Sequence, residues 1–165
     1  MRLNTTLRRC IILDESNPKF VRSTYRRREM SETLDLETVF PVIPDRVYEA
    51  WLNSEQHSRF TGAAASIDAR VGGEFTAWDG YIHGRTLELE PPHRIVQAWR
   101  TTDFPPESPD SLVEVTFSAV SGGTLMVLKQ TGIPAGQARK YEQGWMDYYF
   151  EPMQAYFSED ERFPY

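Results

Sequence analysis

The sequence predicts an α+β domain in which an antiparallel sheet packs on one long C-terminal helix. Three observations carry this. Between Gly72 and Pro105 the chain reads as three strands separated by Gly72-Gly73, Asp79-Gly80 and Pro91-Pro92. The glycines suit tight turns, and proline cannot donate to a strand ladder. Ser121-Gly122-Gly123 joins two further apolar runs as a hairpin. From Tyr141 onward the period changes: Trp145, Tyr148/Tyr149, Pro152/Met153 and Tyr156/Phe157 recur at helical spacing.

The elements follow in order. Residues 1–30 carry eight Arg/Lys against three Asp/Glu, whereas the remainder carries ten against twenty-one. This first segment reads as a structureless basic tail, or as sequence preceding a start at Met30. Two functional readings also stand: a basic arm for an anionic partner, or an organellar targeting helix with Leu3, Leu7, Cys10 and Ile11 on one face. Thr33–Val42 is the first predicted strand, with Leu34, Leu36 and Phe40 in alternation. Pro44 opens a helix whose apolar face is Val47, Tyr48, Trp51 and Leu52. A short helix follows over Ser54–Phe60 with Ser54 as its N-cap. Six more strands are predicted over 65–71, 74–78, 81–90, 94–102, 112–120 and 124–131. Pro-rich 102–111 is a loop. The last helix spans 135–158, and Pro152 predicts a kink because it removes the bond to the Tyr148 carbonyl.

Strand parity selects the residues facing the helix. Arg100 belongs in solvent, so Ile95, Gln97 and Trp99 point inward. Glu114 and Lys129 likewise turn Val113, Val115 and Phe117, and Met126, Leu128 and Gln130, to the inside. Phe75 and Ile82 complete the sheet's contribution, and the helix adds Trp145, Tyr149 and Met153. Apolar walls with isolated amides describe a small-molecule cavity, and equally an ordinary core whose amides bond to neighbours. On the cavity reading, Phe75, Gln97, Trp99, Phe117, Met126, Gln130, Trp145, Tyr149 and Met153 bind the ligand, with Gln97 and Gln130 orienting its polar group.

A chain of 165 residues, 40% hydrophobic and 13% aromatic, is one globular domain by size. It has no run of transmembrane length and no secretory signal pattern. Cys10 alone excludes an internal disulfide and fits a reducing, cytoplasmic setting. The acidic remainder disfavours nucleic acid. His57, His83 and His93 show no metal-ligand spacing, and there is no nucleophile elbow or phosphate loop. Asp147 and Glu151 form an i, i+4 pair that reads as solvated surface. The sequence therefore offers no positive evidence for catalysis, a metal or a cofactor.

Many of these residues together resemble the C-terminal domain of the activator of heat-shock protein 90 ATPase, over about residues 33–158. Those that carry the resemblance include Arg59-Phe60-Thr61, Gly72-Gly73, Phe75, Asp79-Gly80, Gly84, Ile95-Val96 and Trp99-Arg100. Further along they include Pro105, Gly132-Ile133-Pro134, Gly144-Trp145, Tyr148–Glu151 and Phe157. The resemblance implies the helix-grip (START-like, SRPBCC) fold, a curved antiparallel sheet wrapped around a long C-terminal helix. It implies two functions: a non-enzymatic module holding a small apolar or aromatic ligand, or a co-chaperone that binds heat-shock protein 90 and modulates its ATPase. A cyclase- or hydrolase-like enzyme is a third reading. Full-length eukaryotic members carry a separate N-terminal domain with an Asn- and Trp-containing motif, which residues 1–30 do not reproduce. For the chaperone reading, Arg59, Arg100 and the Asp103–Asp110 loop are the candidate contacts.

Overall fold

The computed structural model describes residues 22–28 and 31–160. Eight antiparallel strands form one sheet: β1 (Arg22–Arg28), β2 (Ser31–Phe40), β3 (Ser66–Ile67), β4 (Glu74–Ala77), β5 (Ile82–Glu90), β6 (Arg94–Thr101), β7 (Ser111–Val120) and β8 (Gly123–Pro134). Their spatial order is β1-β2-β8-β7-β6-β5-β4-β3. Two helices, α1 (Pro44–Leu52) and α2 (Ser54–Thr61), interrupt the strands after β2. The chain closes with α3 (Ala138–Trp145), a π turn over Met146–Phe150, and α4 (Glu151–Asp160).

Most predicted elements are present, with three differences. The segment expected to be a structureless tail contains β1, which pairs along β2 from Arg22↔Glu37 to Arg28↔Ser31. Strand pairing uses backbone groups, and charge composition does not report on those. A chain starting at Met30 would leave β2 as the sheet edge. The proposed start, and the helical face at Leu3, Leu7, Cys10 and Ile11, lie outside the described residues. The strand predicted over 65–71 shrinks to two residues. Beyond it the backbone turns, with Arg70 N–H on the Asp68 carbonyl at 2.8 Å and Gly73 N–H on the Arg70 carbonyl at 2.9 Å. The N-cap of α2 is Asn53, whose side chain accepts from Gln56 N–H.

Pro152 has its effect one turn earlier than a kink at the proline itself. The helix widens into the π turn, and the Glu151 N–H bonds to the Met146 carbonyl. This has a consequence for packing. Trp145, Tyr149, Met153 and Phe157 are all buried at four-residue spacing. In a regular α-helix each such step overshoots a full turn by about 40°. A π turn holds more residues per turn and takes back part of that drift. The buried stripe therefore stays on one face.

The core lies between this stripe, α1 and the concave sheet face. Val113, Val115, Phe117, Met126 and Leu128 point into it as parity predicts. Gly84 shows why one strand position must lack a side chain: a Cβ there would sit 1.9 Å from the Ala98 carbonyl oxygen. Two polar links fix the last helix to β2. The nearly buried Glu32 carboxylate accepts from Gly136 N–H just ahead of α3, and Gln154 donates to Thr38 Oγ1 at 3.3 Å. Among the described residues the Tyr48 hydroxyl is buried without a hydrogen-bond partner, and burial raises its pKa. Tyr48→Phe is expected to raise stability by about 1 kcal/mol, because it removes an orphaned polar group at nearly constant shape. Urea unfolding of the variant checks this.

Candidate functional site

The two amides expected to orient a ligand are already engaged. Trp51 Nε1–H donates to Gln97 Oε1 at 3.1 Å, and Gln97 Nε2 donates to Thr86 Oγ1 at 3.2 Å. Trp145 Nε1–H donates to Gln130 Oε1 at 2.8 Å, while Gln130 Nε2 donates to Ser111 Oγ at 2.9 Å. Ser111 in turn donates to the Trp99 carbonyl at 2.7 Å. Each buried indole needs an acceptor, and each inward-facing glutamine supplies one. Replacing Gln130 with leucine should therefore orphan Trp145 Nε1–H and cost about 1–3 kcal/mol. An unchanged or raised denaturation midpoint would refute that pairing.

The interior around them is filled. Phe117, Met126, Gln130 and Met153 are at most 1% exposed. Phe75 and Gln97 border a void of only about 10 Å³, room for one water at most. So six of the nine sequence-predicted ligand residues belong to packed structure. The remaining three, Trp99, Trp145 and Tyr149, form one wall of a larger cleft of about 400 Å³.

This cleft lies between the start of β5 and the last helix. The β4–β5 turn contributes Trp78 and Tyr81, β5 contributes Ile82, and β6 contributes Trp99. The helix adds Lys140, Tyr141, Gly144, Trp145, Tyr148 and Tyr149. Seven of the ten lining residues are aromatic. Tyr148, 56% exposed, stands at the mouth with its ring 5.3 Å edge-on from that of Trp78. Two features shape the site. Trp78 and Asp79 both take positive φ, 53° and 56°, ahead of Gly80 at 89°. For a residue as bulky as tryptophan this conformation is strained, and such strain concentrates at functional positions. The turn is held by Asp79, whose carboxylate accepts from Ala64 N–H at 2.9 Å. On the opposite wall, a Cβ added at Gly144 would meet nothing within 4 Å.

One side of the mouth is polar. Asp103 accepts from the Lys140 ammonium and, at 2.7 Å, from the Tyr81 hydroxyl. The Lys140 bond, then the Tyr81 bond, holds the Asp103 carboxyl below its usual range, and the same ion pair raises the Lys140 pKa. Tyr141 shares its hydroxyl with Thr101 at 2.6 Å and Gln137 at 2.8 Å, and burial pushes its pKa up to about 12.

Behind the wall sits His57. Its Nδ1 lies 2.9 Å from the Trp51 carbonyl, which can only accept, so Nδ1 carries the proton. Nε2 then accepts from the Tyr149 hydroxyl at 3.1 Å. Burial drives the His57 pKa down to about 4, against a smaller opposing effect of the Trp51 carbonyl. Burial likewise raises the Tyr149 pKa.

The signals for the missed lining residues were present but slight. A glycine inside a helical aromatic stripe costs about 1 kcal/mol relative to alanine, so Gly144 marked a place where space matters. Trp78 preceded a predicted turn, and nothing in the sequence indicated its left-handed backbone. Arg100, a candidate chaperone contact, clamps the 102–110 loop, donating to the Ser108 carbonyl, the Pro105 carbonyl and Asp110. Arg59 is exposed and paired with Glu55 at 2.8 Å.

The protein-family model described as activator of Hsp90 ATPase homolog 1-like protein matches residues 41–158. The chain belongs to this family. The human activator of 90 kDa heat shock protein ATPase homolog 1 is 32% identical over 124 residues, 75% of this chain and 36% of that protein. The chain thus spans about a third of the length of the curated relatives it matches. The crystal structure of an HSP90 activator from Plasmodium falciparum superposes with a TM-score of 0.69 at 27% identity, covering 78% of this chain and 96% of that one. CalU16 from Micromonospora echinospora, at 21% identity, shares the fold with a TM-score of 0.70 over 86% of this chain and 76% of its own. For this Hsp90-activator-like domain the helix-grip fold expected from the resemblance is therefore established. No described helix is long and apolar enough to cross a membrane.

Proposed function

We propose that this Hsp90-activator-like domain binds a small aromatic or apolar molecule in the cleft between the β4–β5 turn and the last helix. The observation that carries the reading is a 400 Å³ cleft lined almost wholly by aromatic rings. That volume lies at the small end of the range for ligand pockets. The site is displaced from the position expected from strand parity. It lies at the open end of the sheet–helix interface, not in its centre.

A neutral fluorescent probe, N-phenylnaphthylamine, should gain emission on binding the native protein. Gly144→Leu should weaken that binding at least about tenfold by filling the cleft. Its thermal midpoint should hold or rise, because leucine is the better helix former and the site has room. Absence of probe binding by the native protein, or equal binding by both proteins, would count against the site.

A second reading follows from the relatives' names: contact with a heat-shock protein 90 chaperone. The relatives are much longer, so their activity does not transfer with this domain alone. Exposed loops and Arg59 are the surface on which such contacts would form, and salt would weaken them. The test is a pull-down at low ionic strength with the chaperone of the same cell, together with an ATPase assay. No retention there would remove this reading.

A further inference from the structure

We infer that the cleft selects a planar aromatic molecule bearing one negatively charged oxygen group, whose anion is read by Lys140. The inference rests on the cleft being a ligand site and specifies what that site takes. Aromatic walls alone would favour a cation, since ring faces attract positive charge. Here that position is filled. The Lys140 ammonium lies 5.6 Å from the ring centres of both Tyr81 and Tyr141, at the cleft mouth. A second cation entering beside it would meet like charge. Asp103 offers such a guest little compensation, because it stands behind Lys140 and does not itself line the cleft.

Lys140 is the one charged lining residue among those described. Its ammonium has three N–H donors, of which Asp103 takes one and the Tyr81 hydroxyl a second. One donor is therefore left at the rim of an apolar cleft. A carboxylate or sulfonate at the edge of a bound ring would accept a charge-assisted bond there, stronger than a neutral one. A neutral ring would leave that donor to water. One cation at one rim matches one acid group on the guest, with the ring lying inward between Trp99, Trp145 and the Trp78–Tyr148 pair.

Calorimetric titration with naphthoate, naphthylmethanol and naphthylmethyl-trimethylammonium holds the ring constant and varies the charge. Naphthoate should bind about tenfold more tightly than the alcohol, a difference typical of one good polar contact, and the ammonium compound should bind most weakly. Lys140→Gln should lose the preference for the acid over the alcohol. Because Lys140 also anchors Asp103, Lys140→Arg serves as the companion variant: it keeps the charge and should keep the preference. Equal binding of acid and alcohol by the native protein, or preference for the ammonium compound, would overturn the inference and leave the site standing. No binding of any of the three compounds would overturn the site, and the inference with it.

Discussion

Trp145→Ala is expected to cost about 3–5 kcal/mol of stability, the range for deleting a buried large aromatic side chain. The residue is 3% exposed and meets rings from three other elements: Trp51 of α1 at 5.9 Å, Trp99 of β6 at 5.4 Å and Tyr149 of the π turn at 4.7 Å. Two effects add. The deleted ring leaves a cavity whose rigid aromatic neighbours cannot easily collapse, and Gln130 Oε1 loses its indole donor deep in the core. The second effect can be separated. Trp145→Phe keeps most of the ring contact but removes the donor, so it should cost less than the alanine variant and still more than about 1 kcal/mol. Chemical denaturation of both variants at one pH gives the comparison. A loss below about 1 kcal/mol for alanine would mean that Trp145 does not hold helix to sheet.

Acidification below about pH 6.5 should destabilise the fold through His57. The folded pKa near 4 lies below the ordinary imidazole value of 6.5. Above pH 6.5 both folded and unfolded chains hold a neutral ring, and there is no effect. Between about 6.5 and 4 the unfolded chain binds a proton that the folded one does not, so stability falls as pH falls. The loss levels off below about 4. By linkage it amounts to about 2 kcal/mol by pH 5 and about 3 kcal/mol over the whole window. The structural cause is that Nε2, on a residue only 4% exposed, accepts from Tyr149, so a proton there must displace an existing hydrogen bond. His57→Gln retains a donor and an acceptor but does not titrate. It should flatten the curve between pH 7 and pH 5, whatever its own baseline stability. A wild-type curve that is already flat there would mean that His57 is reached by solvent or charged in the native state. Asp103, with its lowered pKa, acts in a separate and lower window. Its contribution is present above the ordinary carboxylate range and is lost as pH falls through its folded value.

The fold could be read from this sequence because its determinants are local and repeated. Strand parity placed Val113, Val115, Phe117, Met126, Leu128 and Gln130 inward, since one charged neighbour per strand decides the face. Turn glycines divided the sheet, and the spacing from Trp145 to Phe157 located the final helix. The cleft was harder to read because it depends on how separate elements fit together. Parity shows that Gln97 and Gln130 face inward. It does not show that indoles from α1 and α3 reach them, and those bonds turned an expected ligand lining into closed core. Trp78, Tyr81 and Lys140 lie more than fifty residues apart at the extremes and meet only through the left-handed turn at Trp78–Gly80. His57 is buried because its helix lies against the last one, a contact that the sequence does not display. Strand β1 escaped notice for a further reason: its pairing depends on backbone groups that its basic composition conceals.

The indoles of Trp51, Trp145 and Trp99 form a continuous row, with Trp145 in the middle, inclined by 23° to the first and 37° to the second. Chromophores this close exchange excitation, so light absorbed by any one of them belongs to the row. The near-ultraviolet circular dichroism of the protein should therefore be dominated by this coupled trio, a signal that vanishes when side chains lose fixed packing even if helices and strands survive. Two of the three indoles, Trp99 and Trp145, also wall the cleft. An occupant that shifts either one changes the coupling of all three, so the domain carries its own optical gauge of both core order and cleft occupancy.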